Sequence, residues 1–336
     1  MATFPEPKVS RLALATLLWA VFVLQSRAGE IRQDGSESPE AWLGRMNRSV
    51  ATLSFEGNFV YLSGRFLEAM RLSHQVVGGR LRESLFSLTG EPRRIVRDGG
   101  MLAITTWVDG KPHTIRQPSK GRLSPLKPLE ARALRRYYHL MMGKPARIAG
   151  REGVVVALVP RDGLRYGYRL TLDRESGLPL DLTVMDGEGN LISRIMFTRL
   201  KLRQAASVVE AEKGNGPPPA ATAMAAPPPP EKEGASQEGS PDSSWTFQEL
   251  PAGFRLVSHK RLERGRQEHF VFSDGLATVS AYVEPLGKGD QAFTGETSLG
   301  SVNAYGRRLD GHQLTVVGEV PHKTLRLVAQ ALRRKE

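Results

Sequence analysis

No cysteine occurs among the 336 residues. Disulfides, thiol catalysis, cysteine-ligated zinc and lipid attached through a cysteine are thereby excluded. Histidine is sparse: His74, His113, His139, His259, His269, His312 and His322 are the seven, and no two stand four residues apart as on a zinc-binding helix. HExxH, G-x-S-x-G and P-loop signatures are absent. Gly187-Glu188-Gly189 lacks a third glycine and follows no βαβ pattern, so it reads as a turn. Asn47-Arg48-Ser49 matches a glycosylation triplet but falls inside a predicted helix. No catalytic residue, metal site or cofactor is predicted, and an exported enzyme is a reading for which no residue can be nominated. Long apolar runs are missing too. The uncharged apolar run Leu12 to Leu24 rises about 20 Å as a helix, short of a bilayer core of about 30 Å.

What is there points to an exported, two-domain protein. Hydrophobic residues make up 40% and charged residues 24%, a globular balance, and the length suits about two domains. Lys8 and Arg11 precede the apolar stretch and Ser26-Arg27-Ala28 follows it, the three parts of a secretory signal over residues 1–28, cleaved after Ala28. A periplasmic location follows from that signal. The net charge of +12 calls for anionic partners, and for an exported chain these are lipid, polysaccharide or acidic protein segments rather than nucleic acid.

A linker is predicted over residues 205–244. Eight of the 22 prolines lie between Gly214 and Pro241, in a setting of glycine, alanine, serine and glutamate. Such a stretch buries too little apolar surface to offset its chain entropy. It separates a first domain, residues 29–204, from a second, residues 245–336. The first carries 29 Lys+Arg against 18 Asp+Glu, net +11; the second carries 13 against 10, net +3. Of the 29 basic residues, 24 are arginine, which favours planar, bidentate partners such as phosphate and carboxylate.

The fold class read from these patterns is α+β. In the first domain Ser38 is an N-cap and Pro39 opens a short helix whose Trp42, Leu43, Met46 and Val50 share a face. Strands follow over Phe55–Leu62, Phe66–Gln75, Arg80–Leu88, Pro92–Arg97 and Met101–Val108, as an antiparallel meander. A second helix is predicted over Pro128–Met142, from Leu129, Ala133, Tyr137, Leu140 and Met141. Five more strands cover Arg147–Ala149, Val154–Pro160, Tyr166–Asp173, Pro179–Met185 and Leu191–Lys201. So long a sheet curls, and its helices plug the concave side. The second domain is a smaller α+β module, with strands over Phe254–Arg261, Glu268–Ser273, Leu276–Glu284, Ser301–Leu309 and His312–Glu319, and a helix over His322–Arg334.

Apolar alternation marks Phe59, Tyr61, Phe66, Met70 and Leu72. They are either core beneath the helices or the lining of a groove for an acyl chain or peptide. Arg82, Arg93, Arg94 and Arg97 are candidates for anion contact, and Phe272, Ser273, Asp274 and Tyr282 for a partner surface in the second domain.

Several longer stretches carry a resemblance. In the first domain they are Trp42-Leu43-Gly44-Arg45-Met46, Phe55-Glu56-Gly57-Asn58-Phe59-Val60-Tyr61, Leu81-Arg82-Glu83-Ser84-Leu85, Arg93-Arg94-Ile95-Val96-Arg97 and Arg165-Tyr166-Gly167-Tyr168-Arg169-Leu170. In the second they are Leu250-Pro251-Ala252-Gly253-Phe254, Phe272-Ser273-Asp274-Gly275-Leu276-Ala277 and Val317-Gly318-Glu319-Val320-Pro321. On these the chain resembles the MucB/RseB periplasmic regulators of the envelope-stress sigma factor. The resemblance implies a first domain similar to LolA and LolB, a half-open β-barrel with a helical plug. It also implies binding to the periplasmic segment of a MucA/RseA-like transmembrane anti-sigma factor, protection of that segment from proteolysis, and release by lipopolysaccharide or another anionic lipid. Homo-oligomerisation is left open. The proline-rich linker is longer than the family's usual connection. The alternative reading is a periplasmic lipid or lipoprotein carrier, which rests on the first domain alone.

Overall fold

Helix α1, Pro39–Thr52, begins where Ser38 accepts a hydrogen bond from the Ala41 amide and proline supplies a preset φ. Trp42, Leu43, Met46 and Val50 form its buried stripe, as their spacing predicts. The computed structural model describes residues 37–118, 129–203, 237–238, 243–262, 266–287 and 289–335. The predicted signal segment and most of the expected linker lie outside them. No helix among the described residues is long and apolar enough to cross a membrane.

Twelve antiparallel strands form the first domain's sheet: β1 Ser54–Ser63, β2 Phe66–Val77, β3 Arg80–Ser87, β4 Arg93–Asp98, β5 Met101–Val108, β6 Lys111–Pro118, β7 Tyr138–Met142, β8 Ala146–Ile148, β9 Arg151–Pro160, β10 Gly167–Asp173, β11 Pro179–Met185 and β12 Leu191–Arg203. Their order is β6-β5-β4-β3-β2-β1-β12-β11-β10-β9-β7, with β8 also paired to β9. Among the described residues the two ends of that order are not hydrogen-bonded to each other, and the barrel is half open. α1 packs on one face of its middle. There Leu43, Met46, Phe55, Leu72, Leu158, Leu172 and Leu180 are almost wholly buried.

The predicted helix over Pro128–Met142 is corrected. Only Ala131–Leu134 is helical (α2), and Tyr138–Met142 is strand β7. Tyr137, Leu140 and Met141 fit a helical spacing, but Tyr138, Leu140 and Met142 fit a two-residue one. The apolar strand β9 leaves an edge that β7 pairs, Tyr138 opposite Pro160 through Met142 opposite Val156. The tertiary pairing decides between the two periods.

The second domain is a seven-stranded antiparallel sheet in the order β13-β15-β16-β17-β20-β19-β18. Its strands are β13 Gln237–Glu238, β15 Arg255–Leu262, β16 Gln267–Ser273, β17 Thr278–Pro285, β18 Gly295–Leu299, β19 Val302–Leu309 and β20 His312–Gly318. Helix α3, His322–Ala331, packs on one face, and β14, Trp245–Phe247, pairs with β21, Leu332–Arg334. The predicted helix thus stops three residues early, because Leu332–Arg334 pairs as strand. Within the stretch expected as linker, Ser243 is buried and donates to Glu268 at 2.5 Å.

Candidate functional site

The inner face of the first sheet, the one bearing α1, is covered only in part. Antiparallel partners share a face. Register therefore aligns one apolar residue from each of five successive strands: Leu72 opposite Leu85, Leu85 opposite Ile95, Ile95 opposite Ile104, and Ile104 opposite Ile115. Burial fades along this ladder. Leu72 is fully buried, Leu85, Ile95 and Ile104 are half-buried, and Ile115 on the edge strand is 46% exposed. At about 4.8 Å per strand the ladder is about 19 Å long. It runs out of the core into the open part of the sheet.

Two arginines flank it. Arg93 and Arg97 stand two residues either side of Ile95 on β4, hence on the same face. Arg93 pairs with Glu68 at 3.0 Å, and Arg97 is opposite Glu83. The Nε atoms of both are buried without a hydrogen-bond partner among the described residues. Such buried donors are under-satisfied. Arg82 and Arg94 alternate to the opposite face. Arg82 lies 3.8 Å from Asp98 with both side chains well exposed, and Arg94 is opposite Phe86. The four sequence-nominated arginines thus divide into an inner and an outer pair.

The five apolar candidates also divide. Phe59, Met70 and Leu72 are buried with the α1 residues, Tyr61 is half-buried, and Phe66 is 50% exposed at the start of β2. Leu85, Ile95, Ile104 and Ile115 were not singled out. Each strand shows its alternation, but only the register reveals that the four align.

A buried polar pair braces the inner face beside the ladder. His74 Nε2 lies 2.9 Å from the Val50 carbonyl at the end of α1, and Nδ1 lies 3.0 Å from Glu83 Oε1; both side chains are fully buried. The imidazole stacks on Phe55 at 4.6 Å.

In the second domain Phe272 is core, meeting Phe247 edge-on at 4.6 Å. Ser273 donates to the Ala277 carbonyl at 2.8 Å and shapes the β16–β17 turn. Asp274 is buried in the same turn against Arg165 of the first domain, Nε to Oδ2 2.7 Å. Tyr282 is half-buried and stacks on His269 at 4.3 Å. Burial, and after it the neighbouring Lys260 and His259, push His269 down to about 4, so the imidazole is neutral near pH 7. Arg165, which bridges the two domains, is a residue that the spacing did not reveal. The signal available was an arginine three residues after Asp162 in the turn Arg161-Asp162-Gly163-Leu164-Arg165-Tyr166.

Among the described residues no group of three His, Asp or Glu side chains is arranged to hold a metal ion. The arrangement offers binding surfaces: an apolar ladder between cations, and a domain joint.

Comparison with known proteins agrees over both domains. A family model described as the MucB/RseB N-terminal domain matches residues 38–220, and one described as the MucB/RseB C-terminal domain matches residues 239–333. The sigma factor AlgU regulatory protein MucB of Pseudomonas aeruginosa is 31% identical over 311 residues, 87% of this chain and 90% of that protein. The sigma-E factor regulatory protein RseB of Escherichia coli K12 is 26% identical over 337 residues, 94% of this chain and 98% of that protein. A solved structure of MucB in complex with MucA(peri) superimposes with a TM-score of 0.65 at 28% identity, covering 88% of this chain and 98% of that one. A structure of MucB by itself gives 0.61 at 29% identity, with 88% and 97% covered. In sequence, domain order and fold, the chain belongs to the MucB/RseB family.

Proposed function

We propose that this protein is an exported regulator of envelope-stress signalling that binds the periplasmic segment of a transmembrane anti-sigma factor, shields it from proteolysis, and is released by an anionic lipid such as lipopolysaccharide. Family membership supports the regulatory role, and the complex of the relative MucB with MucA(peri) supports the kind of partner. The observation that carries the lipid half is the open ladder Leu85–Ile95–Ile104–Ile115 between Arg93 and Arg97.

Magnitudes assign the parts. Burying a methylene is worth about 0.8 kcal/mol, so a 12-carbon acyl chain gains up to roughly 10 kcal/mol. An exposed ion pair gives about 0–1 kcal/mol. The ladder supplies affinity, and the arginines select an anionic headgroup and steer its approach. Regulation then follows from linkage: if lipid and peptide favour different states or overlapping surfaces, each weakens the other by the same factor.

Calorimetric titration with a synthetic peptide of the anti-sigma factor's periplasmic segment tests this, with and without lipopolysaccharide. Saturating lipid is expected to weaken peptide binding at least several-fold. No detectable peptide binding, or the same affinity in lipid, defeats the proposal. Lipid transfer between vesicles without peptide binding favours the carrier reading, which needs the ladder alone.

A further inference from the structure

A buried cation joins the two domains. Arg165 lies in the β9–β10 connection of the first domain and Asp274 in the β16–β17 turn of the second, and both side chains are 0% exposed. Each guanidinium nitrogen has a partner. Nε donates to Asp274 Oδ2 at 2.7 Å, Nη2 to the Ala252 carbonyl at 2.6 Å, and Nη1 to Asp162 of its own loop. Tyr137 of the first domain and Phe254 of the second hold the guanidinium at 4.5 and 5.3 Å from their ring centres. Asp274 is equally committed, its Oδ1 accepting from the Leu276 and Ala277 amides. Gly253, at φ 90°, lets Tyr137 in; a Cβ there meets that ring at 2.5 Å. Leu276 packs against the first domain's core.

Among the described residues the other hydrogen bonds between the domains join uncharged groups, save one from Ser193 to the half-buried Glu319. The Ser301 amide donates to Ser63 Oγ at 2.7 Å, Asn303 to the Tyr166 hydroxyl at 2.8 Å, Ser193 to Glu319 at 2.9 Å, and Thr324 to the Leu164 carbonyl at 2.5 Å. Water replaces bonds of this kind at small net cost. A buried ion pair behaves differently. With both members in place it is neutral and satisfied; with one withdrawn, the other is a stranded charge. The joint therefore has a closed state and a fully open one, with costly states between.

We propose that Arg165 and Asp274 form a latch that fixes the arrangement of the two domains, and that the protein changes this arrangement only by releasing the pair into water as a unit. A ligand that shifts one domain against the other acts through this latch. The claim does not depend on which partner the protein binds, since its test uses none.

The absence of cysteine makes the test clean. Lys144→Cys and Gln330→Cys, both at exposed positions, place one spin label in each domain of the full chain. Pulsed electron paramagnetic resonance then reads the interdomain distance. A single narrow distribution is expected for the labelled parent and a broad or shifted one for Arg165→Met. The double variant Arg165→Met/Asp274→Asn is expected to narrow again, because it leaves no fully buried charge, Asp162 being 31% exposed to water, and keeps the turn's acceptor. Circular dichroism melts verify that both domains remain folded. Should Arg165→Met fail to fold, Arg165→Lys carries the same readout: it keeps the charge but cannot reach three acceptors at once, so broadening is expected. An unchanged distribution in the folded single variant, or a double variant no narrower than Arg165→Met, overturns the latch.

Discussion

At His74 the geometry dictates where protons sit. A carbonyl only accepts, so Nε2 beside Val50 carries its hydrogen. The 3.0 Å contact between Nδ1 and Glu83 then requires one more proton, on either atom. Glu83→Gln retains a donor for Nδ1, whereas Glu83→Ala leaves a buried nitrogen unmet at a cost of about 1–3 kcal/mol. Urea unfolding is expected to rank Glu83→Ala well below Glu83→Gln; equal stabilities contradict the shared proton. Asp173 makes a pH-dependent contribution. Burial pushes its carboxyl up, but hydrogen bonds from Arg151 at 2.8 Å and from the Ser176 hydroxyl and amide outweigh that, and the net shift is downward. A carboxyl lowered in the folded state adds stability above its unfolded value near 4, and loses it as pH falls through the folded one. The stability gap between parent and Asp173→Asn is therefore expected to be full at pH 7 and to close in acid. A gap independent of pH between 7 and 2 contradicts this assignment.

Among the elements, β1 shows how close packing sets sequence. Gly57 faces Phe197 across the sheet, and a Cβ there meets the Arg199 carbonyl at 2.5 Å and the Phe197 ring at 2.7 Å. The β1–β12 register also shifts between Asn58 and Phe59. Gly57→Ala is expected to destabilise by about 1–3 kcal/mol through overpacking, read as a lower urea midpoint; an unchanged midpoint contradicts that packing. Legibility in the sequence follows burial in the same way. α1, β1, β2, β9 and β16 were readable because their apolar residues must reach a core. β6 and β18 were not: nearly every residue of β6 and all of β18 are exposed, so no alternation is imposed on them. Both are sheet edges, and Pro112 and Pro118 lie on β6, where proline disfavours further pairing. β7 was misread because its period fits two structures and only its pairing with β9 decides.

For the whole molecule, two cores and one joint organise the account. Each core was legible as a set of alternating residues, but what lies between them was not, since Arg165 and Asp274 are 109 residues apart. The candidate site was legible in part for the same reason. Arg93 and Arg97 were identified as cations, yet their place beside an aligned apolar ladder depends on the register of five strands. On the proposed function, the +11 charge of residues 29–204 steers an anionic amphiphile toward that ladder. The most direct measurement is a binding cycle in which peptide affinity is determined with and without lipopolysaccharide, in the parent and in Ile95→Asp, which puts a carboxylate at the centre of the ladder. The account predicts that lipid weakens peptide binding in the parent and leaves it unchanged in Ile95→Asp. Equal weakening in both places the lipid elsewhere and contradicts it.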